Sequence, residues 1–434
     1  MIYLTIMDKR IMMLIIASLM FLQSAVSQDL REKILTLPDV ISVEKMANNP
    51  FFLESYVIMI KQPLDHQKPE LGFFPQRVIL SHLSYTEPVV FITEGYNADN
   101  EIGPRYLNEL CPILYANQVF AEHRYFGKSV PDSMKWKYLT VENAAADHHH
   151  ITEIFKQIYS GKWVSTGISK GGQTSLFYRL LYPGDVTGTV AYVAPLNYSD
   201  EEKRHDRFIR HKAGSEEERK MVMNFQREVL KRKVEMLPLF EKYCQGKKYV
   251  FNASLSEIYD YCVLEYAFSF WQWCHSVKEI PSVNSKDSDL LAHFIKVVSP
   301  DYFDLVSGKV VMPFFVQAER QLGYYAYNTR PFKGLMQLTN TKGYVSKLFV
   351  PQGAIFPYDA ELSRQLQKFL KHQAKNVLLI YGENDPWTAS AAKEGRNKSV
   401  NRIVMKDGCH LSRINNLPHK QKEMAIGMIK AWLN

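Results

Sequence analysis

The chain reads as an α/β protein, a mostly parallel sheet with helices on both faces, interrupted by a helical insertion. Three observations carry that reading. Apolar strand-like runs alternate with helical stretches from Val89 to Val193. The alternation stops between about Asn197 and Leu348, and it resumes at Val377. Such alternation implies parallel strands joined by crossover helices, and therefore a sheet covered on both sides.

The elements follow in order. Tyr56–Ile60 and Gln76–Leu80 form the cores of two β segments, with turn chemistry between them at Lys68-Pro69-Glu70-Leu71-Gly72. Val89–Thr93 has the character of a buried strand and breaks at Glu94-Gly95-Tyr96; Gln118–Ala121 is the next strand. A helix is expected from about Val141 to Tyr159, with Thr140 as N-cap and Glu142 favourable in its first turn. Trp163–Thr166 then leads through a glycine-rich turn into a helix over Gly172–Tyr182, and Val186–Val193 is a further strand.

The interruption contains two segments of helical length and spacing, Glu216–Lys242 and Ser256–Trp273. The second carries Tyr259, Tyr261, Tyr266, Phe268, Phe270, Trp271 and Trp273, read mainly as core rings. Beyond it come the strand Val377–Tyr381, a helix after Thr388, the strand Arg402–Met405 and a terminal helix over Lys420–Trp432. The expected division is therefore 28–196 and 349–434 for the sheet-bearing core and 197–348 for an inserted helical cap.

Residues 1–27 differ in composition. Lys9 and Arg10 precede the apolar run Ile11–Leu22, and Ala25-Val26-Ser27 places small residues at alternate positions. This is the layout of a secretory signal, too short to span a bilayer comfortably. The mature chain is expected to begin near Gln28, exported to periplasm or extracellular space, without stable membrane association. Five cysteines allow two disulfides; Cys244, Cys262 and Cys274 are close enough in sequence for a local bridge, with connectivity open. A net charge of +8 with mixed signs through Arg204–Lys233 describes a solvated helix face, and no nucleic-acid surface is expected.

The chemistry centres on Gly167-Ile168-Ser169-Lys170-Gly171. Set between a strand and a helix, this pentapeptide fits a nucleophile elbow, whose tight turn leaves no room for side chains two residues either side of the serine. A nucleophilic serine needs a base, and the base needs an orienting acid. In the α/β-hydrolase arrangement they follow in the order serine, acid, histidine. Here Asp385 follows the strand Val377–Tyr381, and His410 follows the strand Arg402–Met405. Ligand sites gather at the carboxyl ends of parallel strands, so both loops face the elbow's crevice. Glu383 and Asp407 are rival acids. The expected triad is Ser169, Asp385 and His410.

The oxyanion donors are expected to be the backbone N–H of Lys170 and one from the loop at Gly95 or Tyr96. Glu94 in that loop is placed to meet a substrate ammonium or an arginine such as Arg124. Two motifs fade. Gly127-Lys128-Ser129 lacks the earlier glycine of a phosphate loop, where Glu122 stands. His148-His149-His150 point in different directions on a helix and make no metal site. No cofactor is expected.

Several of these stretches together resemble the S37 family of serine peptidases, secreted tripeptidyl aminopeptidases. They are Ala121-Glu122-His123-Arg124-Tyr125-Phe126-Gly127-Lys128-Ser129, Tyr138-Leu139-Thr140, the Ser169 elbow extended to Gly172, and Tyr381-Gly382-Glu383-Asn384-Asp385-Pro386-Trp387. They are more distantly similar to the S28 prolyl peptidases. The resemblance implies a helical cap that admits peptide ends and cleavage near a free N-terminus, often after proline. An acid must then face the ammonium. Glu94 is one candidate and Glu319 of the cap another, with Tyr324 and Tyr325 as walls. The rival readings are an esterase or lipase, and a non-catalytic binding protein on the same fold.

Overall fold

The computed structural model describes residues 30–434. The expected signal segment, 1–27, lies outside them. Nine strands form one sheet: β1 (Val40–Met46), β2 (Glu54–Pro63), β3 (Phe73–His82), β4 (Val89–Thr93), β5 (Asn117–Ala121), β6 (Trp163–Ile168), β7 (Gly188–Tyr192), β8 (Val377–Gly382) and β9 (Val400–Met405). Their order is β1-β2-β3-β5-β4-β6-β7-β8-β9. The β1, β2 and β3 edge pairs antiparallel, and every junction from β5 to β9 is parallel. This is an α/β-hydrolase core.

Period-two side-chain alternation sorts the parallel strands between two helical layers. Val89 and Phe91 pack with Ile151, Ile154 and Phe155 of α1 (Val141–Lys156), whereas Val90 and Ile92 share a core with Ala425 and Ile429 of a terminal helix over His419–Trp432. Thr140 caps α1 as expected, accepting from the Asn143 N–H. β6 turns into α2 (Lys170–Leu181) at Ser169.

Between β7 and β8 the chain is mainly helical. Its longer helices are α3 (Arg204–His211), α4 (Glu216–Lys231), α5 (Lys233–Lys247), α6 (Leu255–Gln272) and α7 (Asp287–Val297). The expected single helix Glu216–Lys242 is thus two, broken at Arg232. Serine capping boxes open α4 and α6. The α6 aromatics pack into one cluster with Phe225, Phe294, Phe315 and Tyr344, so the core reading holds for those rings, whereas Trp273, just past the helix, is exposed. Only two short strands interrupt the helices: Glu201–Glu202 pairs in parallel with Tyr324–Tyr325.

Two further expectations are corrected. No helix follows Thr388; the Asp385 carboxylate caps a single 3-10 turn, Pro386–Ser390, and the Thr388 hydroxyl donates back to the Gly382 carbonyl. The helix on that side is α8 (Glu361–His372), before β8. The disulfide is not local: Cys274 pairs with Cys409, 135 residues away, leaving Cys111, Cys244 and Cys262 buried as thiols. No helix among the described residues is long and apolar enough to cross a membrane.

Candidate functional site

Ser169 lies at the tip of the strand-to-helix turn with φ 55° and ψ −120°. A non-glycine residue there costs on the order of 1–3 kcal/mol and persists only where its surroundings enforce it. They do so through close packing. A Cβ on Gly167 would stand 2.2 Å from the Gly171 carbonyl oxygen, and one on Gly171 would stand 2.8 Å from the Thr93 oxygen. The Ser169 N–H donates to the Tyr192 carbonyl, which ties the turn to β7. The hydroxyl itself borders a cavity of about 80 Å³, walled by Tyr96, Phe314, Tyr324 and Trp387 with Gln173 and Gln272.

Asp385 and His410 come together from the ends of neighbouring strands, β8 and β9. His410 Nδ1 lies 2.7 Å from Asp385 Oδ2, and both residues are buried. With Asp385 as a carboxylate, Nδ1 must be the donor, which leaves Nε2 free to accept. The other Asp385 oxygen accepts from the Trp387 N–H at 3.1 Å. The rival acids Glu383 and Asp407 are both exposed, and Glu383 accepts from the Asp407 backbone N–H. Gly382 is needed here for space: a Cβ would stand 2.3 Å from the Cys409 oxygen, so only glycine lets the histidine loop cross the end of β8. The His410 N–H donates to the carbonyl of Gln272, which also lines the Ser169 cavity, and the Trp273 and His410 rings meet edge to face at 5.9 Å. The Cys274–Cys409 bridge fastens the same two segments covalently.

The loop after β4 lies directly on the elbow. A Cβ on Gly95 would stand 2.7 Å from the Gly171 nitrogen and 2.8 Å from Lys170 Cβ. The buried Lys170 side chain reaches back to donate from Nζ to the Gly95 carbonyl at 2.6 Å, beside the rings of Tyr96 and Phe126. Burial pushes the Glu94 carboxyl up to about 7, against the pull of the Gly95 and Tyr96 amides and of Lys170. Burial likewise drives the Lys170 ammonium well below its usual range, with Glu94 opposing that shift.

Arg124 is therefore not the partner of Glu94. Its guanidinium makes a two-pronged contact with Asp147 at 2.6 and 2.7 Å and donates to three carbonyls, of Pro63, Leu64 and Tyr138. Glu122 accepts from Ala98 N–H, Lys128 N–H, the Ser129 hydroxyl and Arg77. The Glu122–Ser129 motif thus braces the loops behind the site. The three consecutive histidines diverge: His148 packs on Phe91 and Tyr178, His149 meets Asp185, and His150 meets Gln62.

Of the remaining sequence candidates, Tyr324 lines the Ser169 cavity. Tyr325 lies one layer behind, stacked on Phe268 at 3.7 Å. Glu319 is not brought to that cavity: its carboxyl interacts with Ser346, near Asp200 and Glu201. The acid behind Tyr324 and Tyr325 is instead Glu265 of α6, which accepts from Tyr325, Tyr327 and Ser269 and is pushed by burial up to about 7. Its signal in the sequence is a single carboxylate within the apolar, aromatic stretch 261–272 of that helix.

The model of the family described as PS-10 peptidase S37 matches residues 24–434. The chain is 30% identical over 419 residues to prolyl tri/tetrapeptidyl aminopeptidase of Streptomyces mobaraensis, covering 94% of this chain and 86% of that protein. A shorter match, 30% over 164 residues and 32% of each chain, relates it to human lysosomal Pro-X carboxypeptidase. Among solved structures, proline iminopeptidase of Mycobacterium smegmatis aligns at a TM-score of 0.41 and 12% identity, covering 90% of this chain and 99% of that one.

Proposed function

Because the chain belongs to the PS-10 peptidase S37 family, a family of serine peptidases, we propose that it releases short peptides, chiefly tripeptides, from the free N-termini of its substrates. The observation that carries the reading is the buried His410–Asp385 hydrogen bond beside the cavity that Ser169 borders. Ser169, Asp385 and His410 act as the triad. His410 Nε2 takes the Ser169 proton as Oγ bonds to the scissile carbonyl carbon, and Asp385 holds the imidazolium so formed. Backbone N–H groups of Lys170 and of the Gly95–Tyr96 loop receive the oxyanion. The C–N bond then breaks as His410 returns the proton to the leaving amine. Water, deprotonated by His410, next releases the peptide acid from Ser169.

The small aromatic-walled cavity supports a preference for a compact ring before the scissile bond, such as the prolyl residue named for the Streptomyces relative. Glu94, partly buried in the loop beside that cavity, is the acid proposed to meet the substrate ammonium. Segment 197–348 acts as a cap that limits how much chain precedes the cut, and residues 1–27 act as the export signal. Mass spectrometry of a digested peptide library tests the reading: fragments two to four residues long, cut from free N-termini and lost in Ser169→Ala, are expected. Cleavage that is indifferent to N-terminal acetylation would refute the aminopeptidase assignment, and hydrolysis of short-chain esters alone would make the protein an esterase.

A further inference from the structure

Three successive carbonyl or amide groups of the loop after β4 are pinned. The Glu94 N–H donates to the Ala121 carbonyl and the Tyr96 carbonyl accepts from the His123 N–H, at 3.1 Å in both cases. The carbonyl between them, that of Gly95, is held by a side chain, Lys170 Nζ, at 2.6 Å. Lys170 is the residue after the elbow serine, and its side chain is sequestered from solvent against Tyr96 and Phe126. Among the described residues this is the one hydrogen bond its nitrogen makes. A buried lysine is costly to keep, so a packing role alone would be served better by methionine or leucine.

The geometry of the peptide group gives the lysine a second effect. The Gly95 carbonyl and the Tyr96 N–H belong to one planar peptide, and none of the described peptide bonds is cis, so the two groups point in opposite directions. A donor that fixes the carbonyl therefore also fixes the direction of the N–H, which in the substrate-free enzyme interacts with the Glu94 carboxyl and must exchange that partner for the oxyanion. It polarises the peptide too, because a hydrogen bond at the oxygen strengthens donation at the nitrogen. We propose that Lys170 is a positioning residue for the oxyanion: its Nζ orients and polarises the Gly95–Tyr96 peptide so that the Tyr96 N–H serves as the second oxyanion donor. The Lys170 backbone N–H serves as the first, so one residue governs both donors. This rests on the Ser169 hydrolase reading. The hydrogen bond needs only an N–H on the lysine, so it holds in either protonation state, with Glu94 favouring the charged one.

The test compares Lys170→Met, which keeps the side-chain length without the donor, with the unaltered enzyme. The substrates are a tripeptide p-nitroanilide and p-nitrophenyl acetate, which needs the oxyanion donors but has no N-terminus. The expected result is a fall in kcat of about 10- to 100-fold on both substrates, at or below the cost of losing a whole donor. KM should stay within about threefold. Affinity for a peptidyl boronate, which mimics the tetrahedral oxyanion, should fall by the same factor as kcat. Because Lys170→Met strands the Glu94 carboxyl, the double variant Glu94→Gln/Lys170→Met is measured alongside it on the ester, to restore folding without restoring kcat. A kcat within threefold of the unaltered enzyme, or a loss seen in KM with boronate affinity unchanged, overturns the proposal. Full activity in Ser169→Ala would instead overturn the underlying reading, so the two failures are distinct.

Discussion

Gly95→Ala is the perturbation that most directly interrogates the contact between the loop after β4 and the elbow. The added methyl would stand 2.7 Å from the Gly171 nitrogen, 2.8 Å from Lys170 Cβ and 2.9 Å from Lys170 Cγ. Non-bonded carbon contacts settle at about 3.5–4.0 Å, so loop and elbow must part by roughly 0.7 Å. Neither side gives easily, because the elbow is tied to β7 through Ser169 and the loop to β5 through Glu94. A misplacement of about 1 Å near the reacting atoms costs on the order of 100-fold. We therefore expect kcat on a tripeptide p-nitroanilide to fall about 30- to 100-fold with KM little changed. The same overpacking should cost about 1–3 kcal/mol of stability. Steady-state kinetics with urea unfolding measures both. Gly184→Ala is the control, since a Cβ there meets nothing within 4 Å and should leave both quantities alone. A folded Gly95→Ala enzyme with kcat within threefold of normal would refute the claim that this loop supplies an oxyanion donor.

Other outcomes follow from the same structure. Asp385→Asn keeps the shape of the buried contact but reverses the His410 tautomer, and should lower kcat by roughly 10,000-fold with folding intact; a loss under tenfold would point to another acid. Cys274→Ser releases the tie between α6 and the His410 loop, and should lower both thermal stability and kcat, read by thermal unfolding and by initial rates well below the midpoint. Unchanged rates would show that the Gln272–His410 backbone bond suffices to hold the loop. For Glu265 the folded-state value lies above the unfolded one, rising from 4.5 to about 7. Its contribution to stability is therefore full below the unfolded value and lost as pH rises towards 7, amounting to about 3 kcal/mol. Glu265→Gln should flatten the fall in denaturant stability between pH 4.5 and 7, and an unchanged profile would locate that titration elsewhere.

How much of this was legible in the sequence depends on how local each determinant is. The parallel strands were visible because burial on both faces makes each a continuous apolar run. Ser169, Asp385 and His410 could be read together because strand order fixes where loops emerge, so position after a strand stands in for position in space. The edge strand Val40–Met46 gave no such signal, since its residues are mostly exposed and of mixed polarity. The helix expected after Thr388 failed because Asp385 and Thr388 turn their side chains onto nearby backbone and close a single turn. The Cys274–Cys409 pairing depends on the C-terminal end of α6 meeting the loop after β9, which spacing along the chain does not encode. Glu319 is close to the tyrosines only along the chain, whereas Glu265 accepts from Tyr325 and Tyr327 from another helix.

The short parallel pairing of Glu201–Glu202 with Tyr324–Tyr325 has a consequence for how such a protein diversifies. Asn197 adds to it, donating to the Leu322 and Gly323 carbonyls. Two points far apart in sequence are thereby held about one strand spacing, roughly 4.8 Å, from each other. Apart from the end of α6, which is bridged to the His410 loop, what lies between them behaves largely as a loop with stapled ends. Doubling the length of such a loop costs only about 0.6 kcal/mol in closure entropy. The intervening helices other than α6, whose Gln272–Cys274 end holds the histidine loop, are thus free to be lengthened, trimmed or exchanged over evolutionary time while the staple, the elbow and that loop stay in register. A recombination experiment that swaps only residues 216–247, the α4–α5 pair, among relatives should leave the folding of the core and the Ser169 machinery intact.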